Sequence, residues 1–152
     1  MPVKLKLYLD TSVPNAYFDE KNPQRQEITR QFWTKLKEYH VSISDLVVRE
    51  IESTGNEKLR ENLLELVRDF ESFPTKTEEI RRLTEEYVSR GIIPVKHIGD
   101  AVHIAVTTVH SLDILTSWNF EHIVKLKTKR EVNVVNVLFG YNQIEIIEPA
   151  ML

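Results

Sequence analysis

Hydrophobic positions along this chain switch repeatedly between a period near two and a period near 3.6, and the switches mark out its elements. Leu5, Leu7 and Leu9, with Tyr8 between them, read as a core strand that runs straight into Asp10, Thr11 and Ser12 and breaks at Pro14. From about Pro23 to Tyr39, Ile28, Phe32, Trp33 and Leu36 recur at helical spacing. His40 to Ser44 alternates as a short strand. Ser44-Asp45 then opens a helix, with Ser44 as cap and Asp45 favoured by the helix dipole. Helices are expected over Asn56 to Phe70 and Thr77 to Arg90, the second ended by Gly91 and Pro94. Between them, Phe70 to Phe73 reads as a short strand stopped by Pro74. From Asp100, DAVHIAVTTVH is a mostly apolar helix, followed by a strand over Asp113 to Thr116, a helix near Lys127 to Leu138 and a closing strand over Ile144 to Ile147.

Strands that alternate with helices imply right-handed crossovers and a mostly parallel sheet between helical layers, a three-layer α/β/α sandwich. No repeat, low-complexity segment or linker divides the chain, so residues 1–152 are expected to form one domain. In open sheets of this kind, ligands bind outside the carboxyl ends of the strands. Polar residues at those ends are therefore the first candidates for chemistry.

Asp10 closes the first strand, and Glu50 lies a little over one turn into the helix after the second. Asp100 sits in the first turn of its helix, and Asn119 follows the fourth strand in the turn Thr116-Ser117-Trp118-Asn119. The topology brings these four oxygen-bearing side chains to one sheet edge. Three carboxylates in one place repel, so they take up protons or are neutralised by a cation. Oxygen-only ligands select hard ions, which points to Mg²⁺ or Mn²⁺ on Asp10, Glu50 and Asp100. Such an ion suits phosphodiester hydrolysis. Thr11, Ser12 and Ser117 are auxiliary candidates for holding the carboxylates, metal waters or phosphate.

Composition narrows the alternatives. Without a single cysteine, disulfides, thiolate metal sites and cysteine nucleophiles are excluded. A net charge of −3 says little about partners, and a nucleic-acid binder of this balance must gather its basic residues locally. Lys125, Lys127, Lys129 and Arg130 form the one dense basic run, close to the Asn119 turn and placed to contact an RNA backbone. No stretch approaches the roughly 18 apolar residues of a membrane span, and the N-terminus lacks a secretory pattern, so a soluble cytoplasmic protein is expected.

The segments YLDTSV, SDLVVREIE, GDAVHIAV and LTSWNFEHIV together resemble the PIN-domain nucleases, and within them the VapC-type toxin ribonucleases of toxin-antitoxin pairs, over nearly the whole chain. The resemblance implies a PIN-like sandwich, a Mg²⁺- or Mn²⁺-dependent endoribonuclease acting on RNA, frequent homodimers and a small antitoxin partner. Asp10, Glu50 and Asp100 match the family's three most regular acids. The fourth position, commonly Asp, is Asn119 here. Asn can still offer a carbonyl oxygen, but it lowers the formal charge of the site from about −4 to −3 and favours one-metal chemistry.

Plainer readings stand beside these. His103, on the same helical face as Asp100, is expected to be a hydrogen-bonded core residue rather than a ligand. Asp113 falls at the opposite sheet edge and reads as structural, and Trp118 and Phe120 as packing. Faces around Phe32, Trp33, Val47, Val48 and Ile51 serve either the core or a dimer or antitoxin contact. Two functions compete with the nuclease: a PIN-like module that binds RNA or a partner without cutting, and phosphoryl transfer through an aspartyl phosphate on Asp10.

Overall fold

The structure, a computed structural model, describes residues 3–152. Five strands, β1 (Lys6–Leu9), β2 (His40–Ser44), β3 (Glu71–Phe73), β4 (Ile114–Thr116) and β5 (Glu145–Ile147), form one sheet in the order β3-β2-β1-β4-β5. Every neighbouring pair is parallel. Seven helices connect them: α1 (Ser12–Tyr17), α2 (Pro23–Trp33), α3 (Asp45–Glu52), α4 (Glu57–Val67), α5 (Glu78–Ser89), α6 (Ile98–Val109) and α7 (Leu126–Leu138).

The strand order explains the layers. The chain steps outward from β1 to β2 to β3, then jumps back across the sheet to β4 and β5. Right-handed crossovers in opposite directions place their helices on opposite faces. Accordingly α1 packs on α2 and α4, and α3 on α4, while α5 packs on α6 and α7. The result is a three-layer α/β/α sandwich with a wholly parallel sheet. Covered on both faces, β1 buries Leu7, Tyr8 and Leu9 alike, which is why it reads as an unbroken apolar run. Each such leucine contributes about 1.5–3 kcal/mol by leaving water. Leu5, expected within this strand, lies before it and is exposed.

Several element ends follow their local chemistry. Asn56 and Thr77 cap α4 and α5 by accepting from the Leu59 and Ile80 N–H groups. Helix α5 closes with Gly91 at φ 75°, the Gly91 and Ile92 N–H groups donating to the Val88 and Tyr87 carbonyls. Helix α6 ends the same way on Ser111, a non-glycine residue at φ 54°.

Other expectations are corrected. Pro14 does not break the chain but lies in the first turn of α1, where its missing N–H costs nothing. Helix α2 stops at Trp33, and Leu36 belongs to a separate 3₁₀ turn over Leu36–Glu38. Ser44 makes no side-chain cap. Asp45 instead reaches across to the Thr75 hydroxyl (2.5 Å) and N–H (3.2 Å) and pairs with Arg49 at 3.0 Å. Phe32, Val47 and Ile51 are buried in the core, and Trp33 and Val48 are partly buried against it.

Candidate active site

The order β3-β2-β1-β4-β5 changes direction between β1 and β4, and the crevice at the carboxyl ends of those two strands is where open α/β sheets receive ligands. Both strands end there in polar residues. Asp10 follows β1, its N–H donating to the Thr116 carbonyl, and Ser117 and Asn119 follow β4. Asp10 is 3% exposed. Its Oδ1 accepts from the Ser12 hydroxyl (2.5 Å) and N–H (3.1 Å), and its Oδ2 from the Ser117 hydroxyl (2.5 Å).

Glu50 projects from the last turn of α3 at the mouth of the crevice. Its Oε1 accepts from the Thr11 hydroxyl at 2.6 Å and from His103 Nε2 at 2.9 Å. His103 is a packed core residue, as expected, yet it also orients this carboxylate. Its Nδ1 lies 2.7 Å from the Tyr8 hydroxyl, which lies 2.8 Å from the Ser44 hydroxyl. Ser44, Tyr8, His103 and Glu50 thus form one continuous hydrogen-bonded chain.

Asp100 stands in the first turn of α6, beside Gly99, where an added Cβ would lie 4.0 Å from Glu50 Oε2. The Glu50 carboxylate therefore lies close to the helix start that carries Asp100. Asp100 Oδ2 accepts from Asn119 Nδ2 at 3.1 Å, and Asn119 Oδ1 accepts from the His122 N–H at 2.9 Å. The Asn119 N–H donates to the Ser117 hydroxyl, which donates to Asp10. Asp10 and Asp100 are thus joined through two residues of one turn. The carbonyl oxygen of Asn119, expected to be available to a cation, is committed to His122, and its amide NH₂ faces the acid.

Among the described residues, none of these three carboxylates forms an ion pair with Lys or Arg. Burial pushes the Asp10 and Asp100 carboxyls above the usual carboxylate range, against the opposing pull of His103 and of the hydroxyl or amide donors. Burial works the same way on Glu50, but His103, Thr11 and Arg49 outweigh it and hold that carboxyl low. Glu50 Oε2 and Asp100 Oδ1 accept no protein hydrogen bond among the described residues. Acids without a lysine or arginine partner, two of whose oxygens accept no hydrogen bond among the described residues, fit a hard divalent ion that keeps several waters. Asp10 and Glu50 nevertheless fall outside the three residues whose ligand atoms all lie within 4.8 Å of one another, which are His97, Asp100 and His122.

Of the remaining candidates, Thr11, Ser12 and Ser117 hold the acids directly. Lys125, Lys127 and Arg130 are exposed around the start of α7, with Lys129 half-buried and Lys127 3.6 Å from Glu131, and they make no hydrogen bond to the acids among the described residues. Asp113 lies at the opposite edge, where its carboxylate accepts from the Lys6 N–H at 2.8 Å. Trp118 is buried with its Nε1 on Thr29, whereas Phe120 is exposed. The grip of His103 on Glu50 and the cluster around His97 and His122 escaped the sequence reading. The spacing of His97 one turn before Asp100 was the available signal for the latter.

A groove of about 540 Å³ beside Gly99 has an apolar floor that includes Leu46, Ile80, Ile98 and Val102 and is also lined by charged residues, among them Arg49 and Arg81. Among the described residues, no helix is long and apolar enough to cross a membrane. Neither a protein-family model nor a curated protein sequence matches the chain. Among solved structures, a chain of VapBC2 from Rickettsia felis, crystallised bound to a DNA fragment from its promoter, superposes with a TM-score of 0.59 at 10% identity, covering 95% of this chain and 98% of that one. This chain therefore shares a PIN-like fold with that chain, at 10% sequence identity.

Proposed function

We propose that this chain is a Mg²⁺- or Mn²⁺-dependent endoribonuclease, the toxin of a type II toxin-antitoxin pair, acting in the cytoplasm as a homodimer. What supports the reading is the placement of Asp10 after β1 and of Ser117 and Asn119 after β4, with Asn119 on Asp100 and Ser117 on Asp10, and with Glu50 beside the start of α6, none of the three acids being paired with lysine or arginine among the described residues. A divalent ion bound there would supply Lewis acidity toward a phosphoryl oxygen and make water a better nucleophile at neutral pH.

The chain's own residues prepare that site. Ser12 and Ser117 fix both oxygens of Asp10, and His103 and Thr11 fix Oε1 of Glu50, leaving Oε2 directed at the α6 start. Asn119 orients Asp100 without adding a negative charge. Exposed Lys125, Lys127 and Arg130, with half-buried Lys129 beside them, provide the cations from which an RNA backbone would gain affinity. The apolar groove beside Gly99 suits a short apolar segment of an antitoxin, and the two-component VapBC2 assembly supports such a partner.

The amide at Asn119 favours a second reading, a module that grips RNA without cutting it. Incubating purified chain with structured RNA separates the two. A nuclease cuts with Mn²⁺, stops with chelator and is abolished by Asp10→Asn at unchanged circular dichroism. Retention of RNA without cleavage, insensitive to metal, selects the binding module.

A further inference from the structure

We propose that His97, Asp100 and His122 form a second metal site, which takes one borderline transition-metal ion of the Zn²⁺ or Co²⁺ class in preference to Mg²⁺. The inference does not rest on the nuclease reading, since binding at these residues is measurable whether or not the protein cuts RNA.

His97 and Asp100 stand one turn apart across the start of α6, and His122 reaches them from the segment between β4 and α7. One ligand atom from each lies within 4.8 Å of the other two, and the two imidazole rings stand 4.2 Å apart between centroids. In a four-coordinate site with metal–nitrogen bonds near 2.0–2.1 Å, ligand atoms sit about 3.3 Å apart. The closure needed is a side-chain rotation, and exposed His97 at a helix start is free to make it.

His122 supplies the independent sign of a missing partner. Its Nε2 is buried yet has no hydrogen-bond partner among the described residues, and the nearest acid oxygen among them, Glu121 Oε1, is 3.7 Å away. Buried imidazole nitrogens are normally satisfied. The residue is also locked in place: its N–H is held by Asn119 Oδ1, and its carbonyl accepts from the Thr128 hydroxyl at 3.0 Å. The same Asn119 holds Oδ2 of Asp100, leaving Oδ1 unengaged. One amide therefore sets two of the three ligands, as supporting hydrogen bonds do around metal centres.

The ligand chemistry decides the class of ion. Two imidazoles and one carboxylate match the three-ligand set of open zinc sites and suit Zn²⁺, Co²⁺ and Ni²⁺, whereas Mg²⁺ prefers oxygen alone. Because Asp100 belongs to both constellations, an ion held by the two histidines withdraws that carboxylate from the oxygen site. Transition metal and Mg²⁺ then compete for the protein.

The untagged full chain, freed of metal, is titrated with Co²⁺ in excess Mg²⁺ while the visible ligand-field bands are recorded, and with Zn²⁺ while the histidine side-chain resonances are followed by NMR. The expected result is one equivalent of Co²⁺ with the intense bands of a four- or five-coordinate ion, and Zn²⁺ shifts confined to His97 and His122, leaving His40 and His110 unmoved. His97→Ala and His122→Ala each weaken binding by about tenfold or more, and Asp10→Asn keeps the bands. His97→Ala, at an exposed position, gives the answer even if His122→Ala fails to fold. Weak octahedral bands that His97→Ala leaves unchanged, or Zn²⁺ shifts spread over all the histidines, overturn the proposal.

Discussion

Asn119 holds Asp100 with its amide nitrogen, not its oxygen: Nδ2 donates to Asp100 Oδ2 across 3.1 Å because Oδ1 is taken by the His122 N–H. Turning the amide over would set two donors against each other at His122. Asn119→Asp keeps the His122 contact but replaces the donor facing Asp100 with a second carboxylate. In chelator the variant should lose about 1.5–3 kcal/mol of stability from the broken charge-assisted bond, and its Mg²⁺ affinity should rise. Urea unfolding with and without Mg²⁺ checks both signs.

Tyr8 lies wholly inside the sheet, and its hydroxyl is the shared partner of Ser44 and His103. Removing that oxygen by Tyr8→Phe leaves two buried polar groups short of a partner, at a cost of about 1–3 kcal/mol. It also frees the ring that orients Glu50. Urea unfolding should show the loss of stability, and RNA cleavage should fall with it. A fully active, fully stable Tyr8→Phe protein would detach His103 from the site.

The acids predict an unusual pH dependence. Asp10 and Asp100 have folded-state carboxyls held above the free value by burial. A raised carboxyl contributes stability that is present below the unfolded pKa, near about 3.9, and is lost as pH rises through the folded value. Asp100→Asn fixes the uncharged form. In chelator at neutral pH it should therefore be more stable than wild type, and the difference should vanish as pH falls toward about 4. Glu50, held low by His103 and Thr11 once burial is outweighed, has the opposite sign: its contribution is present above the unfolded pKa and lost as pH falls through the folded one. Thermal unfolding across pH, with and without Mn²⁺, resolves the two.

Ser111 ends α6 in the left-handed region at φ 54°, in the same hydrogen-bonded closure that Gly91 supplies to α5. Ser111→Gly relieves that conformation and should stabilise the protein by about 0.5–1 kcal/mol without touching the site. Thermal denaturation measures it directly.

Much of this was legible from periodicity. Leu7, Tyr8 and Leu9 announce a strand buried on both faces, and the alternation of strands and helices carries the rest of the sandwich. Helix α1 was hidden because six residues containing Pro14 look like a break, although proline is tolerated in a first turn. Asp45 looked like a simple cap because its partner Thr75 is distant in sequence. The edge shared by Asp10, Glu50 and Asp100 followed from strand polarity. The orientation of Asn119 did not, since it is set by the His122 backbone, and the meeting of His97 with His122 depends on how the segment after β4 folds back on α6.

The central claim, that the acids at the β1–β4 switch point hold a hard divalent ion, is tested most directly by calorimetric titration of Mg²⁺ into wild type, Asp10→Asn, Asp100→Asn and His97→Ala. We expect binding by wild type, loss in both aspartate variants and retention in His97→Ala. No Mg²⁺ binding by the folded wild type, or equal binding in all four proteins, would contradict it.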